Sequence, residues 1–381
     1  MSDYWEMLNK WIKSSIQVIR LSLGMSAGPS AARTDLSGPY FDGTNAGLYR
    51  SSIAPQDDHC ASFPLFLLLL ILQTQAAQHY TQEEIDNQKL LLVACFKGKL
   101  ETAKFLVERL GTDIECTDSG GNTPLIHVSL HGKADIVLYL LSRGAKTGHL
   151  NKLGYSALHC AAVGDHAEVC ELLLVAGADV NQKTADDDGT TPLIEACSRN
   201  SMNAAKCLVE KGGADIEMPA QLGLTPLIQS AFGGQVDFVR YLLSKGAKIN
   251  RTDDAGASAL HYAVFGRALD VCALLVEAGI NMKQQVFASG ITVLHAAHLV
   301  DDLDIVKFLV EKAGADFEVP DGSGRTVLMA ASQEGQIGIV NYLLMKKART
   351  DLRDWLGRTA FILALEKGYW NVCKTLTISK N

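Results

Sequence analysis

Positive charge is not in excess in this sequence. Lys and Arg together number 35 against 42 Asp and Glu, a formal net charge of −7. A protein that works on nucleic acid presents a basic face to the phosphates, so that class of partner is not expected. Long apolar runs are also lacking. The longest, Phe63 to Leu72, is too short for the ~20 residues that a bilayer-crossing helix needs. The 9 Cys are an odd number and contain no C-x-x-C pair, which removes the usual zinc and disulfide frameworks. Phosphate loops, G-x-S-x-G and H-E-x-x-H are absent, so the common catalytic signatures are missing. Neither a catalytic residue, a metal nor a cofactor is expected.

What the chain has in quantity is repetition. With Leu158 as an index, matching residues are Leu91, Leu125, Leu193, Leu227, Leu260, Leu294, Leu328 and Phe361. Successive steps are 34, 33, 35, 34, 33, 34, 34 and 33 residues. A fixed period of that size marks a solenoid of stacked supersecondary units. A second column checks the register. Fifteen residues after each index stand Leu106, Leu140, Leu173, Leu208, Leu242, Leu275, Leu309, Leu343 and Leu376, all leucine. Twelve residues after it stand only Ala, Val or Cys, among them Cys170, Cys272 and Cys373. Small apolar residues belong where two helices press together, so most cysteines read as reduced, packed thiols.

One unit can be read as physics. Thr123-Pro124, Thr191-Pro192 and Thr225-Pro226 precede their indices. Thr caps a helix through an orphan backbone N–H, and Pro suits the first helical position. A short apolar helix follows, and Gly98, Gly132, Gly234, Gly335 and Gly368 stop it. A second helix has apolar residues three and four apart, as in Val236, Val239, Leu242 and Leu243. Gly144, Gly177, Gly246 and Gly279 end it where a left-handed residue is wanted. Lys347 stands at that position in the eighth unit, so strain is expected there.

Helix, turn, helix and β-turn at this period, with Thr-Pro-Leu at the helix start, resembles the ankyrin repeat. The resemblance covers residues 81–381 as nine units, an all-α ankyrin-repeat solenoid. It implies that His159, His261 and His295 are structural, bonding near the helix start and between units. It also implies that loop tips and first helices line one concave face where partner proteins bind. Asn181 lies in a loop similar to those hydroxylated in some family members, although a loop Asn can equally bond its own backbone. Large residues with no evident packing role on that face are the candidate partner contacts: Tyr155, Leu222, Leu224, Phe232, Phe265 and Trp355. Asp186-Asp187-Asp188 reads as a solvated acidic turn rather than a cation site.

The first 80 residues differ in character. Trp5, Leu8, Ile12, Ile16, Ile19 and Leu23 give residues 1–24 an amphipathic helical pattern. Docking on a partner, membrane contact and a transit peptide are all open for it. Residues 25–80 read as a flexible linker around the apolar run 63–72, forming with 1–24 a largely disordered extension. The run is either a true short apolar segment or a translated splice-acceptor tract. Thr81 to Glu84 fits a capping box at the array's start. The expected role is a non-catalytic scaffold, adaptor or inhibitor in the cytoplasm, with the nucleus also compatible. The partner protein and the oligomeric state are open. Substrate recruitment to a larger enzyme or ubiquitin-ligase assembly, and attachment to a membrane surface through residues 1–24, are the alternatives.

Overall fold

The computed structural model describes residues 80–185, 188–286 and 289–378. The expectations for 1–24, for the apolar run 63–72 and for the linker up to residue 79 lie outside them. The chain divides between Ile85 and Asp86. Of the first unit only helical residues 80–85 are described; the stacked pairs belong to the second.

Eighteen α-helices and no strand occur among the described residues. They form one pair per repeat. Repeats 1 to 3 are α1 (Tyr80–Phe96) with α2 (Leu100–Leu110), α3 (Pro124–Leu130) with α4 (Ala134–Ser142), and α5 (Ala157–Val163) with α6 (Ala167–Val175). Repeats 4 to 6 are α7 (Pro192–Arg199) with α8 (Met202–Glu210), α9 (Pro226–Phe232) with α10 (Val236–Ser244), and α11 (Ala259–Phe265) with α12 (Leu269–Glu277). Repeats 7 to 9 are α13 (Val293–Leu299) with α14 (Leu303–Glu311), α15 (Val327–Gln333) with α16 (Ile337–Met345), and α17 (Ala360–Glu366) with α18 (Trp370–Ile378). From repeat 2 onward first helices stack on first helices, and second helices stack on second within repeats 1–4 and within repeats 5–9.

Local chemistry starts the helices where the sequence says it should. Thr123, Ser156, Thr191, Thr225, Thr292, Thr326 and Thr359 each have extended backbone and accept the N–H three residues on. Helix α1 is already under way at Tyr80, so Thr81 lies inside its first described turn and the expected capping box is not a helix start. Each pair is joined by one left-handed residue seven past the index. Gly fills it in five repeats, while Asp165, Asn200, Arg267 and Asp301 take φ of 56°, 59°, 55° and 50° in the others. Lys347 is left-handed too, with φ 64°. A side chain there crowds the backbone, which costs about 1–2 kcal/mol.

The core is a ribbon between the helix layers. The nine Leu of the second column are at most 4% exposed. Burying one such side chain contributes about 1.5–3 kcal/mol. The eight described cysteines are free and buried. Burial pushes the Cys95, Cys160, Cys170, Cys197 and Cys272 thiols up to about 12.

Candidate functional site

Five of the loops before the first helices are built alike. Asp118, Asn151, Asp253, Asp321 and Asp354 each accept, through Oδ1, the backbone N–H groups two and four residues on, at 2.7–3.0 Å. The side chain thus folds the tip around itself. In repeats 2 to 9 the chain turns left-handed four residues before the index, always at glycine, as at Gly223 (φ 78°) and Gly324 (φ 78°). Space demands glycine as well. A Cβ on Gly223 would come 2.7 Å from Asp254 Oδ1, and one on Gly324 2.7 Å from the Trp355 ring.

Neighbouring tips are joined by backbone hydrogen bonds. Lys152 donates to the Gly120 carbonyl, Gln221 to Asp188, Asp254 to Leu222, Gly322 to Ser289 and Trp355 to Ser323, at 2.7–3.1 Å. Behind them, side chains reach one repeat forward. Glu115, Asn181, Glu217, Asn250 and Glu318 accept the N–H of Lys146, Asp215, Lys248, Asn281 and Arg349 at 2.8–2.9 Å. Asn181 therefore bonds the next repeat's backbone rather than its own through Oδ1.

Leu222, Leu224, Phe232 and Phe265 lie in adjoining repeats 5 and 6. Leu222 is 43% exposed and takes a φ of 60° inside a short 3-10 turn, Gln221–Gly223. Leu224, Phe232 and Phe265 are half-buried. Phe232 and Phe265 are bridged by Tyr262, edge to face, with centroids 6.3 and 6.2 Å away. Tyr262 escaped the sequence reading. It is buried, and its hydroxyl donates to Asp253 Oδ2 at 2.8 Å. Burial raises the Asp253 carboxyl above its ordinary value, and burial together with Asp253 raises the Tyr262 hydroxyl.

Tyr155 and Trp355 stand apart, in repeats 3 and 9. Half-buried Tyr155 packs edge to face on His159 at 5.7 Å and donates to Glu195 Oε1 at 3.0 Å. Part of this residue is structural. Trp355 is 72% exposed, and its indole donates to the Gly322 carbonyl at 3.1 Å. Beside it Leu356 is 63% exposed.

The histidines are not gathered into a site. His159 and His295 are buried. Each meets its cap hydroxyl at 2.8 Å and a carbonyl of the next repeat, Thr190 or Arg325, at 3.2 and 3.0 Å. His261 meets Ser258 at 3.0 Å. Its Nε2 faces Ile291, yet reaches no acceptor at hydrogen-bond geometry. Burial lowers His261 to about 4. His298 also falls to about 4 through burial, with Gln336 hydrogen-bonded to its ring at 2.8 Å. No group of three or more His, Cys, Asp or Glu among the described residues could hold a metal. Asp186 and Asp187 lie outside the described residues. No described helix is long and apolar enough to cross a membrane.

Known proteins share this architecture. The family model described as Ankyrin repeats (3 copies) matches seven overlapping windows from residue 60 to residue 381. Human Neurogenic locus notch homolog protein 2 is 30% identical over 189 residues, 45% of this chain and 8% of that protein. Human Neurogenic locus notch homolog protein 1 is 32% identical over 233 residues, 58% of this chain and 9% of that protein. The chain thus spans less than a tenth of the length of these relatives. The crystal structure of the human ASB11 ankyrin repeat domain superposes with a TM-score of 0.50 and 24% identity, covering 54% of this chain and 90% of that domain.

Proposed function

The chain belongs to the ankyrin-repeat family, and from that premise we propose that it is a non-catalytic scaffold, adaptor or inhibitor. It binds a partner protein through the face made by its tips and first helices. The observation that carries this reading is the set of large apolar side chains on that face, grouped in repeats 5 and 6 and present again at the tips of repeats 3 and 9. Leu153, Leu222, Trp355 and Leu356 are 43–72% exposed, and Leu224, Phe232 and Phe265 add half-buried surface. Grouped apolar exposure favours association, and aromatic side chains are the usual anchors.

The test is affinity capture from native extract, read by mass spectrometry, with the full chain as bait. A variant with Leu224, Phe232, Phe265 and Trp355 changed to Ser is run beside it. A third bait carries Lys104→Glu, Lys206→Glu and Lys307→Glu on the second helices. All three must be equally helical by circular dichroism. A protein held by the first and third baits and lost from the second supports the reading. Equal capture by the first two places binding elsewhere.

A further inference from the structure

Three lysines near the start of the array stand together without a counter-charge. Lys97 and Lys99 flank the turn glycine Gly98 between α1 and α2, and Lys133 follows the matching glycine one repeat on. A Cβ on Gly98 would come 3.2 Å from Lys133 Cε and 3.7 Å from its Nζ. Lys133 therefore lies across the turn that carries the other two. Lys97 and Lys99 are exposed, and Lys133 is half-buried. Among the described residues no carboxylate pairs with any of the three. The nearby acids are engaged elsewhere. Glu101 pairs with Lys104 and Asp118 with His127, each at 2.9 Å. Asp135 accepts the Ile136 N–H at 2.9 Å, and Asp165 accepts from Asn203 and from the Ala204 N–H at 2.8 Å.

The fold does not call for these charges. Lys99 and Lys133 immediately precede α2 and α4, and neither side chain bonds its helix. Orphan N–H groups make that end of a helix positive, so a cation there is unfavourable. The matching position holds His166 in repeat 3, then Ser201, Gln235, Ala268, Asp302, Gln336 and Tyr369. His131 adds to the crowding. Burial lowers it below its ordinary value, and the charges of His127, Lys133 and His166 push the same way.

Beside the lysines the surface is apolar. Val93 is 48% exposed and Phe96 51%; three residues apart on α1, they share a face. Phe96 stands in the column of Phe232 and Phe265, and half-buried Leu130 follows it in repeat 2. The Phe96 ring meets His131 edge to face, with centroids 4.8 Å apart.

We propose that repeats 1 and 2 hold a partner segment carrying Asp or Glu beside a large apolar side chain. This rests on the first helices being part of the binding face. The apolar side chain packs on Val93, Phe96 and Leu130, and its acidic neighbours meet Lys97, Lys99 and Lys133. An apolar centre with a charged rim is the common build of a protein interface, and an aromatic ring is a usual anchor. Carboxylates placed there also face the positive ends of α2 and α4. Three lysines on a chain of net charge −7 do not make the extended basic face that a nucleic acid needs. Charge pairing of this kind speeds encounter and rejects basic segments.

The test selects peptides from a random phage library on the full chain. Enrichment of Asp or Glu next to Phe, Leu, Ile or Trp is expected. Selected peptides should bind about tenfold more weakly to Lys99→Glu/Lys133→Glu, a size set by lost charge pairing. Lys99→Gln/Lys133→Gln should give an intermediate loss. Phe96→Ser should weaken the same peptides, and Phe232→Ser/Phe265→Ser should leave them unchanged. Circular dichroism confirms that each variant is folded. Peptides indifferent to the lysine and Phe96 variants but lost with Phe232→Ser/Phe265→Ser would overturn this site and leave the first-helix face standing. Peptides indifferent to every variant would overturn both. A single-stranded oligonucleotide bound more tightly than the peptides, and released by Lys99→Glu/Lys133→Glu, would overturn the partner class. Failure to enrich any peptide would overturn the proposal.

Discussion

Two buried histidines make the array acid-sensitive in a calculable way. His261 and His298 are held neutral, each lowered by burial from 6.5 to about 4. A base whose folded value is depressed binds fewer protons folded than unfolded between those two values. Stability is therefore fully present above pH 6.5 and drains away as pH falls toward 4. At pH 5 each group costs about 2 kcal/mol relative to pH 7.4, or about 4 kcal/mol for the pair. Urea unfolding followed by circular dichroism at both pH values gives the loss for the native chain. The same measurement on His261→Gln/His298→Gln removes the two groups while leaving every carboxylate in place. The variant starts less stable, but the difference between its two pH values should shrink by about 4 kcal/mol. An unchanged difference would mean that neither ring is held neutral by burial, and the electrostatic reasoning would fall.

Other consequences are simpler to check. Lys347→Gly relieves an exposed left-handed residue and should raise stability by about 1 kcal/mol; a lower urea midpoint would contradict the strain. Leu208 is fully buried, so Leu208→Ala should cost about 2–5 kcal/mol, and a loss of only a few tenths would break the register. Cys160 and Cys197, with thiols pushed up to about 12 by burial, should resist iodoacetamide at pH 8 and react after denaturation. Mass spectrometry of native digests that found both alkylated within minutes would refute their burial.

Periodicity carried the fold because stacking forces every repeat to solve the same packing problem. The Leu column, the Thr caps and the strained Lys347 were all readable as departures from, or agreement with, a column. Asp165, Asn200, Arg267 and Asp301 were not read as left-handed, although the glycines in their column held the signal. Bonds that cross repeats were hidden for a different reason. Glu195 lies 40 residues from Tyr155, and only a correct stack brings them together. Thus Tyr155 looked free in the sequence and is partly committed. Tyr262 looked like an ordinary first-helix residue, yet it is the ring that holds Phe232 and Phe265 on one surface.

The tip geometry bears on how such a face selects a partner. Each described tip with an Asp or Asn acceptor is folded by that side chain, and backbone bonds tie tips to their neighbours at 2.7–3.1 Å. Little conformational freedom is left for binding to remove, so the ordering cost falls mainly on the partner. A face held this way gains specificity from which side chains stand on the tips rather than from loop rearrangement. Changing a tip residue without disturbing the Asp and Gly that fold it should therefore alter partner choice with little effect on stability.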